Sequence, residues 1–497
     1  LTAGAPRRLI WLLAPLLAAV AYLAIGTSPP VADDWYSIDF IGGWVRDGSL
    51  IGRAFEPYES HWSPVFVLGS GLALWLDPAG NGVAPLRAFN ALALALSLLA
   101  FIRLATWLGA SRIAITLAAV LLAFHQAVIG VQYQWDSIGP MWGDALCRWA
   151  AVLALAPLIG RARGGPALSL AVLALTFLAL ASKETALATL GGTGILILGA
   201  TVLRPGTESP LRRAALALAP MLLAVGVFLV IRQTSGGATD LPDTPYGIAS
   251  PLAWPKSLAM LGGALLSPVS TLTLWQAAHL RDYTVLALGA LAALVTAWFL
   301  LAALRRPATD AADPATAAPV PIARIAIALA IPAAFFPMVL MRHVSENYLT
   351  PSAFFLALAF ALALDRRLAT TPTRRTLTLA LATALVAVHT VGWTSKLAIL
   401  RATGEESIRQ AALYYPAVAT LPETAMVELK TAAPPPPVPT YSMYGSVNPR
   451  GVLFVNLHRE GLTVDVIGTH QTPTHTATLE GQTVTIRPAE AAPSSTP

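Results

Sequence analysis

Long apolar runs cut by short polar segments dominate the pattern along the chain. They fall near 9–26, 86–108, 113–130, 141–160, 166–182, 185–203, 213–232, 284–303, 322–341, 351–365 and 376–394. Each approaches the roughly 20 residues that a helix needs to cross a bilayer. Two further runs, 62–77 and 256–276, are broken by Pro, Gly and polar residues and read as helices lying at the interface. Residues 166–203 are too long for one span, because a single helix would overshoot a roughly 30 Å hydrocarbon core nearly twofold. Two antiparallel helices fit, with their turn at Ser182-Lys183-Glu184-Thr185.

The character changes after about residue 395. Pro434 to Pro437 make a stiff extended segment. Beyond it Gly451–Leu457, Leu462–Ile467 and Gln482–Ile486 alternate like strands. The expected organisation is a transmembrane domain over 1–395, a small β-rich appendage over 396–487 and a disordered tail over 488–497. No internal repeat is visible.

Composition agrees with the pattern. The chain is 56% hydrophobic and 12% charged, against roughly 25% charged in an average soluble protein, so most of it belongs in lipid. No basic stripe carries interleaved aromatics, which argues against a nucleic-acid partner. Cys147 is the only cysteine, so an intrachain disulfide is impossible. Arginines give the orientation, since cytoplasmic loops carry the cationic excess. Arg7/Arg8, Arg112, Arg161/Arg163, Arg204/Arg212/Arg213, Arg305/Arg306/Arg324 and Arg366/Arg367/Arg374/Arg375 share one side if 62–77 and 256–276 do not cross. The expected protein is multi-pass, with about eleven spans, a cytoplasmic N-terminus and an extracytoplasmic C-terminus. Its first run, behind Arg7/Arg8, reads as an uncleaved anchor.

With that topology the unusual polar residues gather at the outer face. Asp33 and Asp34 follow the first span, then Asp39, Glu56, Glu59 and His61. A second loop holds Gln132, Gln134, Asp136 and Asp144 with Trp135 and Trp142, a third the Lys183-Glu184 turn, and a late one Arg342, His343, Glu346, Asn347 and Tyr348. Carboxylates here can deprotonate a hydroxyl or hold a divalent cation. The cations can stabilise a phosphate leaving group, and Trp35, Trp62, Trp135 and Trp142 can stack on sugars. Each feature has a plainer alternative: tryptophans as interface anchors, Lys183 and Glu184 as an ion pair, Arg342 as a helix cap, and Asp136 and Asp144 as parts of a turn. No zinc-ligand spacing, phosphate-cradling Gly loop or serine nucleophile elbow occurs.

The order of the motifs resembles the GT-C glycosyltransferases. They are Asp33-Asp34-Trp35, His61-Trp-Ser-Pro64, Leu86-Arg-Ala-Phe-Asn90, Phe124-His125, Asp144-Ala-Leu, Ala181-Ser-Lys-Glu184 and Glu346-Asn-Tyr-Leu-Thr-Pro-Ser352. Residues 8–395 look most similar to protein O-mannosyltransferase-like members. The resemblance implies an all-α polytopic membrane fold and a hexosyl or pentosyl transfer from a polyprenyl-phosphate-linked donor to a glycan, lipid or protein acceptor. It implies a first-loop base, Asp33 or Asp34, with Asp33 favoured. Lys183, with Arg342 or His343, would bind the donor phosphate; His61, Asp144, Glu184, Glu346 and Tyr348 would bind substrate. Asn347 stands where the family usually has arginine, and His61-Trp-Ser-Pro64 replaces a His-Pro-Pro motif. A divalent cation such as Mg or Mn, held by Asp33, Asp34 and Asp144, is one option; some relatives need none. The expected location is a bacterial inner or plasma membrane. Competing readings are a transporter of lipid-linked saccharides, which predicts inverted repeats and charges along a whole path, and a non-catalytic assembly protein.

Overall fold

The structure is a computed structural model. It describes the chain except residues 1–4, 32–33, 58–60, 204–208, 236–247, 270, 305–318, 342–345, 369–371, 423, 432–448, 460–461, 463, 467–472 and 490–497. In chain order the helices are α1 (Ala5–Ile25), α2 (Asp34–Arg46), α3 (Leu50–Arg53), α4 (Pro64–Leu76), α5 (Val83–Trp107), α6 (Arg112–Ala123), α7 (Gln126–Tyr133), α8 (Ile138–Leu158), α9 (Pro166–Ser182), α10 (Ala186–Leu203), α11 (Pro210–Thr234), α12 (Trp254–Leu266), α13 (Thr271–Leu280), α14 (Tyr283–Leu304), α15 (Pro319–Val339), α16 (Thr350–Leu368), α17 (Pro372–Val418) and α18 (Pro449–Arg459).

Every apolar run expected to be helical is helical. Among the described residues, α5, α11, most of α14 and α17 are each long and apolar enough to cross a membrane. The pair α6 and α7, bent by 53° at Phe124–His125, makes a fifth when taken together. Shorter apolar helices join them in the bundle, and α8 has its hydropathy lowered by Asp144 and Arg148, both buried. The fold is that of an all-α polytopic membrane protein. The broken runs became α4, of 13 residues, and α12 with α13, of 13 and 10. At 1.5 Å per residue none of these reaches across a roughly 30 Å core.

The helix α17 has 47 residues, roughly 70 Å of rise. It carries the chain out of the bundle, and the domain boundary expected at 395 falls inside it. Beyond it, β1 (Met426–Thr431), β2 (Asp465–Val466), β3 (His475–Glu480) and β4 (Thr483–Pro488) form one sheet in the order β2-β1-β3-β4. β1 runs parallel to β2 and β3, while β3 and β4 make an antiparallel hairpin turning at Gly481, whose φ is +64°. The strand expected at Gly451–Leu457 is instead helix α18. Pro449 opens it, where a missing N–H costs nothing, and packing overrides its β-branched composition. Val452, Leu453, Val455 and Leu457 are buried in a core shared with Trp35, Ile38 and Ile41 of α2 and Phe66 and Leu74 of α4. Pro488, where the tail was expected to begin, ends β4, and 490–497 lie outside the described residues.

The helix α8 packs closely on its neighbours through small residues one turn apart. A Cβ at Gly139 would lie 2.5 Å from the Ser182 carbonyl oxygen, and one at Gly143 would lie 3.1 Å from that of Ala179. Cys147 Sγ faces the Ala186 carbonyl at 3.8 Å. Small residues at such spacing let helix backbones approach in a membrane protein. Gly139→Ala should therefore lower the thermal midpoint in detergent, at a cost of about 1–3 kcal/mol. Gly194→Ala, where the added methyl meets nothing within 4 Å, should be neutral or stabilising; equal midpoints for the two variants would refute the close contact.

Candidate functional site

The loop between α1 and α2 is held from several directions. Asp34 is fully buried; its Oδ2 accepts from Val31 N–H at 2.8 Å and its Oδ1 from Trp135 N–H at 3.0 Å. Arg87, at the start of α5, donates to the Gly26 carbonyl at 2.7 Å and lies 4.9 Å over the Tyr133 ring. Tyr133 Oη donates to the Pro29 carbonyl at 2.8 Å. From α17, Arg401 donates to the Ala24 carbonyl and Ser28 Oγ at 2.9 and 3.0 Å. Gly404 allows α17 to press on this segment, since a Cβ there would lie 2.7 Å from Pro29 Cγ. Asp33 lies outside the described residues.

Trp135 leads directly into α8, and four residues further Gly139 meets Ser182. One helical turn thus separates the contact with Asp34 from the contact with the Lys183–Glu184 turn, about 6 Å of rise. In that turn Lys183 ends α9, and Glu184 Oε1 pairs with His61 Nδ1. Both partners are largely buried. Burial opposes charge on Glu184, but the Lys183 ammonium and the His61 hydrogen bond outweigh it and hold the carboxyl well below the usual carboxylate range.

Lower on α8, Asp144 Oδ1 accepts from Thr189 Oγ1 at 2.7 Å, and Oδ2 pairs with Arg148 at 3.4 Å. Arg148 also donates to the Thr350 carbonyl at 2.8 Å and sits 4.7 Å over the Phe354 ring. This ties the start of α16, and with it the 3-10 turn Glu346–Leu349, to α8. Tyr348 packs partly buried on the bundle core, while the Glu346 side chain, Arg342 and His343 lie outside the described residues.

Sequence reasoning missed Arg148, Arg87, Tyr133 and Arg401 as partners. Asp144 and Arg148 stand at i,i+4, an ion-pair spacing inside an apolar run, and that signal was available. It also missed a buried polar cluster at the bend between α6 and α7. There His125 caps α7, donates from Nε2 to the Leu265 carbonyl at 2.9 Å and stacks on His389, with centroids 4.8 Å apart. Lys396, almost fully buried, reaches the Gln126 carbonyl at 3.4 Å, and Trp393 Nε1 donates to Gln132 Oε1 at 2.9 Å. Of the four tryptophans that could stack on sugars, Trp35, Trp62 and Trp135 are packed inside and Trp142 is partly buried. Trp62 sits between Phe177 and Phe228, Trp135 Nε1 donates to the Asn81 carbonyl, and Trp35 lies in the shared core.

No protein-family model matches the chain, and no curated protein matches its sequence. Among solved structures it is similar to ArnT from Cupriavidus metallidurans in the apo state, with a TM-score of 0.51 and 12% identity over 96% of this chain and 93% of that one. The same enzyme bound to undecaprenyl phosphate gives 0.50 with the same identity and coverage. This chain shares the overall fold of that structure. The similarity runs through the bundle and the appendage alike, since it leaves out only 4% of the chain.

Of the cation set Asp33, Asp34 and Asp144, the two described members already have other partners. Asp34 spends one oxygen on each of two backbone amides, and Asp144 spends its own on a hydroxyl and a guanidinium. Among the described residues, no three His, Cys, Asp or Glu side chains cluster as metal ligands.

Two outcomes test these contacts. A carboxyl depressed in the folded state stabilises above its unfolded value and loses that contribution as pH falls through the folded one. The stability difference between wild type and Glu184→Gln should be constant above the ordinary value of 4.5 and shrink below it, as read from denaturant unfolding at stepped pH. A difference that instead grows on acidification would refute the pairing. Asp144→Ala leaves Arg148 buried without its carboxylate, and should cost about 3–5 kcal/mol; the double variant Asp144→Ala/Arg148→Met should recover most of the loss in midpoint.

Proposed function

We propose that the protein is an inverting glycosyltransferase that moves a sugar from a polyprenyl-phosphate-linked donor to an acceptor hydroxyl on the outer face of the membrane. The observation that carries this reading is that the first turn of α8 and the turn before it contact both the acidic first loop, through Trp135 and Asp34, and the Lys183–Glu184 turn, through Gly139. The chemistry needs a base and a cation at one level of the bundle. The ArnT structure with undecaprenyl phosphate, similar over almost the whole of both chains, supports a polyprenyl phosphate as the carrier.

In this mechanism the Asp33 carboxylate takes the proton of the acceptor hydroxyl. The acceptor oxygen bonds to the anomeric carbon, and the bond from that carbon to the phosphate oxygen breaks, leaving its electron pair on the lipid phosphate. Lys183, with Arg342 or His343, stabilises the charge that develops there. Asp34 acts as a positioning residue, because its oxygens are already given to Val31 and Trp135. His61 and Glu184 orient Lys183 and contact the sugar, as do Glu346 and Tyr348. Asp144 acts through Arg148 on the segment that carries Tyr348. No step requires a metal ion. The N-terminus lies in the cytoplasm and the appendage outside.

Proteoliposomes supplied with labelled polyprenyl-phosphate sugars test the reading. Wild-type protein should form a covalent product. Asp33→Ala should reduce turnover by roughly 10²–10⁴-fold while the protein still inserts and binds donor. Unchanged turnover in that variant would remove the assigned base. Translocation of label without covalent transfer would make the protein a transporter, and neither activity would make it an assembly protein.

A further inference from the structure

One sizeable cavity lies away from the candidate site. It measures about 460 Å³ and opens between the C-terminal end of α8, the start of α9 and the first turns of α11. The helix α9 has 17 residues with Lys183 at its far end, so the cavity sits roughly 25 Å from the Lys183–Glu184 turn. Its walls are apolar, built from Leu158, Leu168, Val172 and Leu216, and Arg213 and Ser169 supply its polar surface.

Arg213 gives one N–H to the Thr201 carbonyl at 2.7 Å, which fixes the guanidinium at the cavity wall. Its Nε is buried and finds no acceptor among the described residues. Arg213 itself lines the cavity, so an anion standing there can meet the guanidinium. Arg161, Arg163 and Arg212 flank the same end of the bundle, and Leu170, Leu211 and Leu216 around it are more than half exposed. An anion with an apolar body matches this combination: the guanidinium takes the charge, and the exposed leucines continue as a surface that acyl chains can cover.

We propose that this cavity binds the headgroup phosphate of an anionic phospholipid, at the end of the bundle opposite the candidate catalytic turn. A volume of several hundred Å³ is in the range of small-molecule sites and admits a phosphoglycerol headgroup. Basic pockets between membrane helices are suited to such headgroups. A soluble phosphate would leave the apolar walls uncovered, so the lipid form is favoured. Binding here requires no sugar transfer and is independent of it.

The test uses the full chain in nanodiscs of phosphatidylcholine containing one-fifth phosphatidylglycerol, with retained lipid counted by native mass spectrometry. Wild type should retain phosphatidylglycerol about tenfold over phosphatidylcholine, and Arg213→Gln should lose about tenfold in that preference. Ala217→Trp fills the cavity from its apolar wall while leaving Arg213 and Thr201 in place, and should lose the preference too; it serves if Arg213→Gln fails to fold. Arg374→Gln, an exposed cation outside the cavity, should retain it. Equal retention of both lipids by wild type overturns the proposal, as does a preference that survives Ala217→Trp. Displacement of phosphatidylglycerol by millimolar inorganic phosphate, or by undecaprenyl phosphate alone, would reassign the site and equally overturn it.

Discussion

The helix α8, with the turn that leads into it, is the constraint on which the candidate site depends. Positions four or five residues apart meet different partners in succession: Trp135 takes Asp34, Gly139 takes Ser182, Asp144 takes Thr189, and Arg148 takes Thr350. Within lipid there is no hydrophobic gain in bringing helices together, so close backbone approach and polar bonds must hold them. The glycines supply the approach. The Asp144–Arg148 pair supplies the bonds, and it is tolerable in the interior because each charged end has a further neutral partner. Three regions far apart in sequence, the loop before α2, the α9–α10 turn and the start of α16, are thereby referred to one helix and the turn before it.

The loop ahead of α2 shows the complementary problem. A segment without helical hydrogen bonds, packed into an apolar bundle, must find partners for its backbone. Pro29 and Pro30 carry no amide donor, which leaves an excess of carbonyls. Arg87, Tyr133 and Arg401 donate to those of Gly26, Pro29 and Ala24, and Asp34 returns an acceptor to the Val31 amide. The described residues of this loop thus have backbone polar groups bonded from several elements at once.

The helices were legible because bilayer thickness is a ruler that apolar runs must match. The Lys183–Glu184 turn was legible for the same reason, since 166–203 is too long for one crossing. What run lengths cannot reveal is which isolated charges are partners. His61 and Glu184 pair across separate loops, and Arg148, His389 and Lys396, to which run lengths assign no role, are buried in polar contacts or ring stacks. The change of composition near 395 marks where α17 becomes more polar, and a helix continues through such a change without breaking. The segment Gly451–Leu457 misled by its β-branched residues, because burial on several sides lets helix and strand compositions coincide. In sequence the tryptophans read as sugar platforms or interface anchors, and the rings of Trp35, Trp62 and Trp135 are buried in apolar cores instead.

The appendage bears on the site through α2. Tyr36 meets Phe454 at a centroid distance of 6.0 Å, Arg450 lies 5.5 Å over the Tyr36 ring, and His458 Nδ1 pairs with Asp39 at 3.0 Å. These contacts lie within two turns of Asp34, on the helix that Asp34 begins. Beneath them the apolar core is continuous from α4 through α2 into α18 and the sheet. An outer domain that merely captured a partner would carry its own closed core and meet the bundle through a polar contact. This one completes the burial of α2, which begins at Asp34 and packs between α4 and α18. That shared core argues against the appendage as a separable binding module.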